Sequence, residues 1–518
     1  MNIPNPTAYD QILYTGHPYR HTHPDLLATL GTLLGMHPAP AERCRVLELA
    51  CGNGSNLIPM AWGLPGSEFV GIDLAARPIS EGQSIVQELG LDNIHLHQLD
   101  LMDFPEGMGT FDYIVAHGLY SWVPTAVQDK LMAVCQRHLD PNGVAFISYN
   151  TYPGCHIRDM VREMMLYHVH NAPDPQTKIS QAQALLKFLA DSQTEPDEYG
   201  RLLHKELERV MHYSVSHLFH DDLAEVNRPL YFHQFMEHAA SFGLQFLSEA
   251  EYFMVQTDQF PEHTVKVLDG LGGNVLAQQQ YLDFLRCRRF RQTLLCHEGI
   301  AINYQVQAER MAGFYFSSPT QTVSAEPDIC SELEEEFQVE QRSRLKTSNP
   351  LTKAALQHLG SVWPKALHFD EILTESLKIL RREEEAEDAL LLGYILQNGF
   401  GAGLVDVHLY PPRFVLHPGE YPIASPVARM QASRGDRITT LRHRSVRLGD
   451  PLTRQLVQML DGSRNLATLT SQLRLAAEKM ESGGDAEGQG LSISAGKSGE
   501  SEVESMLIGL ARLGLLFQ

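Results

Sequence analysis

Arg45–Asn56 reads RVLELACGNGSN, and seventeen residues beyond Asn56 a second apolar run, EFVGIDLA, places Asp73 at its end. Val46, Leu47 and Leu49 form a short run with β character, after which the chain bends through Gly52 and Gly54 into a helix-compatible segment. A strand therefore ends where the glycines begin, and backbone without a Cβ can approach a bound molecule at a strand's carboxyl end, where doubly wound sheets place ligands. Asp73, closing the next strand, suits the two hydroxyls of a ribose. The pairing fits a nucleoside. It does not fit a dinucleotide, because ELACGNG is not the GxGxxG that wraps a pyrophosphate on a helix N-terminus.

Glu48, just before the turn, suits a cationic, amine-bearing ligand, by direct contact or through water. S-adenosylmethionine meets that description together with Asp73. A third strand, Ile94 to Leu99, ends in Asp100-Leu101, and a fourth runs from Phe111 to Ala116. With these four pieces in order, the chain from about Ala41 to Tyr152 resembles the class I S-adenosylmethionine-dependent methyltransferases. The resemblance implies an α/β fold, a Rossmann-like, mostly parallel sheet. It implies that Asp100 accepts from the adenine amino group while the backbone of Leu101 meets the ring edge. Cofactor contacts are expected from Ala50, Gly52, Gly54 and Asn56 along the glycine turn and from Leu74 after Asp73.

Strands near Arg45 to Leu49, Glu68 to Ile72, Ile94 to Leu99, Phe111 to Ala116 and Gly143 to Ser148 alternate with helical stretches such as Pro78 to Leu89 and Val127 to His138. That alternation predicts parallel strands with right-handed crossovers. Upstream, Pro24 followed by Leu26, Leu27, Leu30, Leu33 and Leu34 gives an amphipathic helix. Tyr14, Tyr19, Thr22 and His23 before it form an aromatic segment able to fold over the cofactor as a lid, or to pack on the sheet. Two loops leave the carboxyl edge where a methyl group would point: HGLYSWVP from His117 to Pro124, and YNTYPG from Tyr149 to Gly154. Their rings can exclude water and attract a cation through their faces. Tyr120, Tyr149 and Asn150 are the expected holders of an acceptor amine, Trp122 the channel wall, and His117 a cofactor contact or proton acceptor.

LYSWVP, SYNTYPG, HDDLAEVNRPLYFHQF and FLRCRRFRQTLLCH together resemble bacterial methyltransferases carrying a methyltransferase regulatory domain, a group that includes protein-lysine methyltransferases. This implies a lysine side chain of a protein as methyl acceptor. A small-molecule or lipid methyltransferase, and a cofactor-binding scaffold without turnover, are the other readings.

The 518 residues, 43% hydrophobic, can bury several cores. The expected division is an N-terminal lid and helix (1–40), the cofactor domain (41–155 and 218–258), and a helical insertion for substrate docking or dimerisation (156–217). A middle domain (259–345) and a C-terminal winged-helix-like region (346–518) follow, with the Gly- and Ser-rich stretch 478–501 expected to be disordered. Leu404 to Leu416 is expected to supply two strand-like pieces of a hairpin, broken at Pro411-Pro412. The arginines at 286, 288, 289 and 291 suggest ion pairing between domains or contact with substrate.

No secretory leader or membrane-spanning run is evident, so a cytoplasmic protein without membrane insertion is expected. Seven scattered cysteines without a CxxC pair predict reduced thiols, and the 24 histidines show no metal-ligand spacing. A net charge of −22 disfavours nucleic acid and suits a basic, lysine-bearing protein segment. A homodimer is compatible with the insertion.

Overall fold

The computed structural model describes residues 12, 14 and 16–517, apart from 194–196, 272, 340–342 and 483–496. Its centre is a seven-stranded sheet in the order β3-β2-β1-β4-β5-β7-β6. The strands are β1 (Arg45–Leu49), β2 (Glu68–Asp73), β3 (Ile94–Gln98), β4 (Phe111–Ala116), β5 (Leu139–Asn150), β6 (Leu244–Glu249) and β7 (Phe290–His297). β1 to β5 pair in parallel, whereas β7 runs antiparallel to both β5 and β6. Val46, Leu47 and Leu49 are fully buried, as expected for a parallel strand covered on both faces. Winding goes one way from β1 to β3 and the other way from β4, so the crevice between β1 and β4 is the topological switch point.

The sheet reaches further along the chain than the expected boundary at 258, because β7 lies within it. A group of buried charges explains this. Arg291 is fully buried, pairing with Glu249 at 2.7 Å and Asp283 at 2.8 Å, while Arg288 reaches Glu249 at 2.5 Å. Charges buried this deeply are tolerable only when matched, so these arginines lock β7 to β6 and to the helix Val275–Arg286.

Three helices, Cys155–Val169, Pro175–Asp191 and Glu198–His212, form the insertion around their own core, which includes Val161, Met165, Ile179, Leu186 and Val210. Further on, Pro350–Val362, Phe369–Leu380 and Asp388–Gly401 are helical, but the hairpin expected over Leu404 to Leu416 does not form. Only Asp406–His408 becomes a strand, and it pairs with Tyr315–Ser317 from upstream. Pro411 and Pro412, lacking backbone N–H donors, cannot supply a second ladder.

The last unit contains the helices Pro426–Arg434, Pro451–Met459, Leu466–Ser482 and Lys497–Arg512, with a hairpin of Arg437–Thr439 against Ser445–Arg447. The ends of the stretch expected to be disordered, 478–482 and 497–501, are therefore helical, and 483–496 lies outside the described residues. Among the described residues no helix is long and apolar enough to cross a membrane. All seven cysteines are free.

Candidate active site

At the end of β1 the chain bends sharply, with Ala50 at φ +61°, Gly52 at +56° and Gly54 at +73°. Asp73 fixes the bend: Gly52 N–H donates to its Oδ2 at 2.9 Å, and Ala75 N–H donates to its Oδ1 at 2.8 Å. Above the bend lies a cavity of about 800 Å³, large enough for a nucleoside-sized ligand with space beyond it. Glu48, Ala50, Gly52, Asn56, Asp73 and Leu74 line its floor. Asp100 and Leu101 line it from the end of β3, with Asp100 Oδ1 accepting the Met102 N–H at 2.9 Å. Of the expected cofactor residues, Gly54 is the one that does not line the cavity; a Cβ there would lie 3.0 Å from Leu96, so this glycine serves packing behind the bend.

Glu48 is 3% exposed, and Asn56 Nδ2 donates to its Oε1 at 2.8 Å. Its Oε2 has no hydrogen-bond partner among the described residues. Burial pushes the carboxyl up to about 8, against the opposing Asn56 hydrogen bond and with Asp73 adding to the rise. Tyr14, Tyr19 and His117 close the cavity from above, with the Tyr19 and His117 rings stacked at 3.8 Å. Desolvation lowers His117 to about 3, so it is neutral and a weak proton acceptor.

Beyond the floor, the cavity continues under the insertion, walled by Trp122, Asn150, Arg158, Arg209, Tyr213 and Asp221. Arg158 donates to Asp222 at 2.8 Å and Arg209 contacts both Asp222 oxygens at 3.2 Å, so Asp222 takes both guanidinium groups. Its neighbour Asp221 makes no direct ion pair or hydrogen bond among the described residues. Burial raises Asp221 to about 6, and the two arginines oppose the rise. His217 faces the same cavity four residues earlier, its Nδ1 2.8 Å from the Ser214 hydroxyl, and desolvation keeps it below the ordinary histidine value. The stretch carrying both, Val215–His217 followed by Leu218–Asp222, turns from α to π geometry, a local irregularity that often accompanies functional sites.

The expectation for two tyrosines is corrected by the structure. Tyr120 and Tyr149 are 2% and 1% exposed, and neither lines the cavity. The Tyr120 hydroxyl is 2.7 Å from His238 Nδ1, whose Nε2 lies 3.0 Å from Asp129. Tyr149 stacks on Phe235 at 4.0 Å, with its hydroxyl 3.0 Å from Thr293. The loop sequence showed where the rings enter, but not to which face of the sheet each one turns. Asn150 and Trp122 do reach the cavity; Asn150 Nδ2 donates to Asn227 at 2.9 Å, and Arg158 lies over the Trp122 ring at 5.7 Å. Sequence reasoning passed over Asp221, although it stands in the quoted motif HDDLAEV, where two adjacent carboxylates were the available signal.

Three family models match the chain. One described as a methyltransferase domain covers 46–143, one described as a predicted methyltransferase regulatory domain covers 214–297, and one described as the PKMT C-terminal winged helix domain covers 420–515. Protein RP789 of Rickettsia prowazekii (strain Madrid E) is 36% identical over 374 residues, 71% of this chain and 68% of that one. The chain belongs to the class I S-adenosylmethionine-dependent methyltransferases that carry a methyltransferase regulatory domain. A second Rickettsia prowazekii protein, RP028, is 39% identical to this methyltransferase over 236 residues, 45% of this chain and 94% of that one. PKMT2 from Rickettsia typhi, solved in complex with AdoHcy, superposes with a TM-score of 0.87 at 28% identity, covering 98% of the methyltransferase and 100% of PKMT2.

The methyltransferase's own residues fit S-adenosylmethionine. A Cβ at Gly52 would meet nothing within 4 Å and would project into the space a ligand needs. The orphaned Oε2 of Glu48 offers an acceptor for a cationic amine, and Asp73 and Asp100 sit at the ends of successive strands, as a nucleoside requires.

Proposed function

We propose that this methyltransferase methylates lysine side chains of a protein substrate, and that Asp221 receives the incoming ammonium. The supporting observation is the carboxylate itself: it faces the part of the cavity beyond the cofactor floor, while the adjacent Asp222 absorbs both nearby arginines. A half-buried anion without a direct partner is a seat for a cation brought from outside. The similarity to PKMT2 and to the PKMT C-terminal winged helix domain supports a protein substrate. So does the net charge of −22, which attracts a basic segment.

S-adenosylmethionine, when bound, supplies an already activated methyl group on a sulfonium. The protein's tasks are alignment and removal of the amine's proton. Asp221 orients the ammonium; Trp122 and Tyr213 narrow the passage and exclude water; and desolvation shifts the lysine toward its neutral form. The proton leaves to water or to His217, which is neutral and faces the same space. Glu48, Asp73, Asp100 and His117 hold the cofactor on the other side.

The test is Asp221→Asn, assayed with labelled cofactor on a lysine-containing substrate identified from cell fractions. Cofactor affinity should stay within about twofold, while kcat/KM should fall roughly 100-fold, the size of one lost charge-assisted contact. Label on extractable small molecules instead of protein lysines, or an unchanged kcat/KM, would overturn the proposal.

A further inference from the structure

A side chain from the far end of the chain backs the floor of the cofactor site. His443 sits in the loop of the C-terminal hairpin, 387 positions from Asn56, yet its Nε2 lies 2.9 Å from Asn56 Oδ1 in a buried contact. The loop is fixed on several sides. His443 N–H donates to Thr440 O at 3.0 Å, Thr440 N–H to Arg444 O at 2.8 Å, and Leu441 N–H to Gly514 O at 2.8 Å. Arg442 lies 4.0 Å over the Trp363 ring. His443 itself adopts φ +52°, a left-handed conformation that costs a non-glycine residue energy and is kept where the surroundings enforce it.

The partners of Asn56 determine which proton His443 carries. Asn56 Nδ2 donates to Glu48 Oε1 at 2.8 Å and to Thr22 Oγ1 at 2.9 Å, which uses both of its protons. Its Oδ1 accepts the Tyr19 N–H at 2.9 Å; the Thr22 hydroxyl also lies 3.2 Å from it but gives its single proton to Tyr19 O at 2.8 Å, which leaves one lone pair for His443. The imidazole must therefore donate from Nε2. Burial keeps it neutral, since both desolvation and the nearby His23 oppose a charge.

We propose that His443 is a positioning residue of the cofactor site: by donating to Asn56 it fixes the amide so that Nδ2 faces Glu48, leaving the other Glu48 oxygen directed at the ligand. The C-terminal unit is thereby part of the cofactor pocket and not merely attached to it. His443 also separates two spaces. It lines a second cavity of about 410 Å³, together with Arg20, Trp62, Asp406 and Arg442, while Asn56 lines the cofactor cavity on the opposite side. Loss of the imidazole would leave the Asn56 amide free to turn away from Glu48. The groups facing Glu48 are Asn56 behind it, Asp73 on the neighbouring strand and Cys51 on the bend, with Tyr19 above. None of these carries positive charge, and the Asn56 hydrogen bond is what lowers the Glu48 carboxyl against its burial.

The decisive comparison is His443→Gln against His443→Met in the full chain. The two replacements have similar length and volume, but only the first keeps an N–H donor. S-adenosylhomocysteine binding is measured by calorimetry in two buffers of different ionisation enthalpy, alongside the urea midpoint of the ligand-free protein. We expect His443→Gln to bind within about threefold of the parent and His443→Met roughly tenfold more weakly, the size of one buried acceptor left without a donor. Proton release at pH 8 should rise in His443→Met, because an Asn56 amide no longer held toward Glu48 stops lowering its carboxyl. Equal affinity and equal proton release in the two variants would overturn the proposal. So would a loss of affinity in both that simply follows their loss of folding stability.

Discussion

Raising the pH should tighten cofactor binding, because the carboxyl we propose for the cofactor's cationic amine is held protonated by its own burial. Glu48 is 3% exposed and pushed up to about 8. If only the ionised form receives the ligand, the apparent dissociation constant is the intrinsic one divided by the ionised fraction. That fraction is roughly one in a hundred at pH 6, one in eleven at pH 7 and one in two at pH 8. Affinity for S-adenosylhomocysteine should therefore rise about fiftyfold from pH 6 to pH 8, with about 0.9 proton released per ligand at pH 7.

The perturbation that isolates this effect is Glu48→Gln, which keeps the Asn56 contact but cannot ionise. Its affinity should be weak and nearly flat with pH, and its proton release should vanish. Asp221, at about 6, titrates in the same cavity and remains in the variant, so any residual slope below pH 7 belongs to it. The folded-state value of Glu48 lies above its unfolded value. Its contribution to stability is therefore fully present below the unfolded value near 4.5 and is lost as pH rises through about 8. The ligand-free parent should lose stability across that window, and Glu48→Gln should not. Isothermal titration calorimetry from pH 6 to 8 in paired buffers, with urea unfolding of the empty proteins, measures both effects. A parent affinity independent of pH with no proton released, or a fiftyfold slope surviving in Glu48→Gln, would refute the reasoning.

Tyr120→Phe should retain most methyl-transfer activity and lose about 1 kcal/mol of stability, because the hydroxyl bonds His238 and the ring does not line the cavity; steady-state kinetics and urea midpoints check it. Arg291→Met should cost about 3–5 kcal/mol in chemical unfolding, since it leaves Glu249 and Asp283 buried with too few cations. The same loss should not appear in Arg286→Met, whose guanidinium bonds backbone carbonyls of Met254 and Gln256.

The arrangement ties three distant segments to one site. The bend after β1 provides the floor, the stretch 215–222 provides the far wall, and the hairpin near 443 fixes an amide in the floor. Each contributes groups that would be costly to bury alone. Asp222 is matched by Arg158 and Arg209, and His443 is matched by Asn56.

What the sequence determined by itself was local. The strand before Gly52, the carboxylate closing β2, the helix Pro24–Leu33 and the succession of five parallel strands along the chain were legible because hydrophobic period and glycine placement act over a few residues. Cofactor chemistry was legible for the same reason, since Glu48, Gly52 and Asp73 sit at the ends of adjacent strands in a predictable topology. The facing of Tyr120 and Tyr149 was not, because a short loop can turn a ring to either side of the sheet and the packing of Phe235 decides. Neither was the membership of β7 in the sheet, which depends on buried arginines finding carboxylates on β6 and a separate helix. Asp221 reaches the cavity, and His443 reaches the amide behind its floor, from segments well over a hundred residues along the chain from the bend. Their positions are fixed by long-range burial and hydrogen bonding, for which no periodicity in the chain exists, and only the tertiary structure decided them.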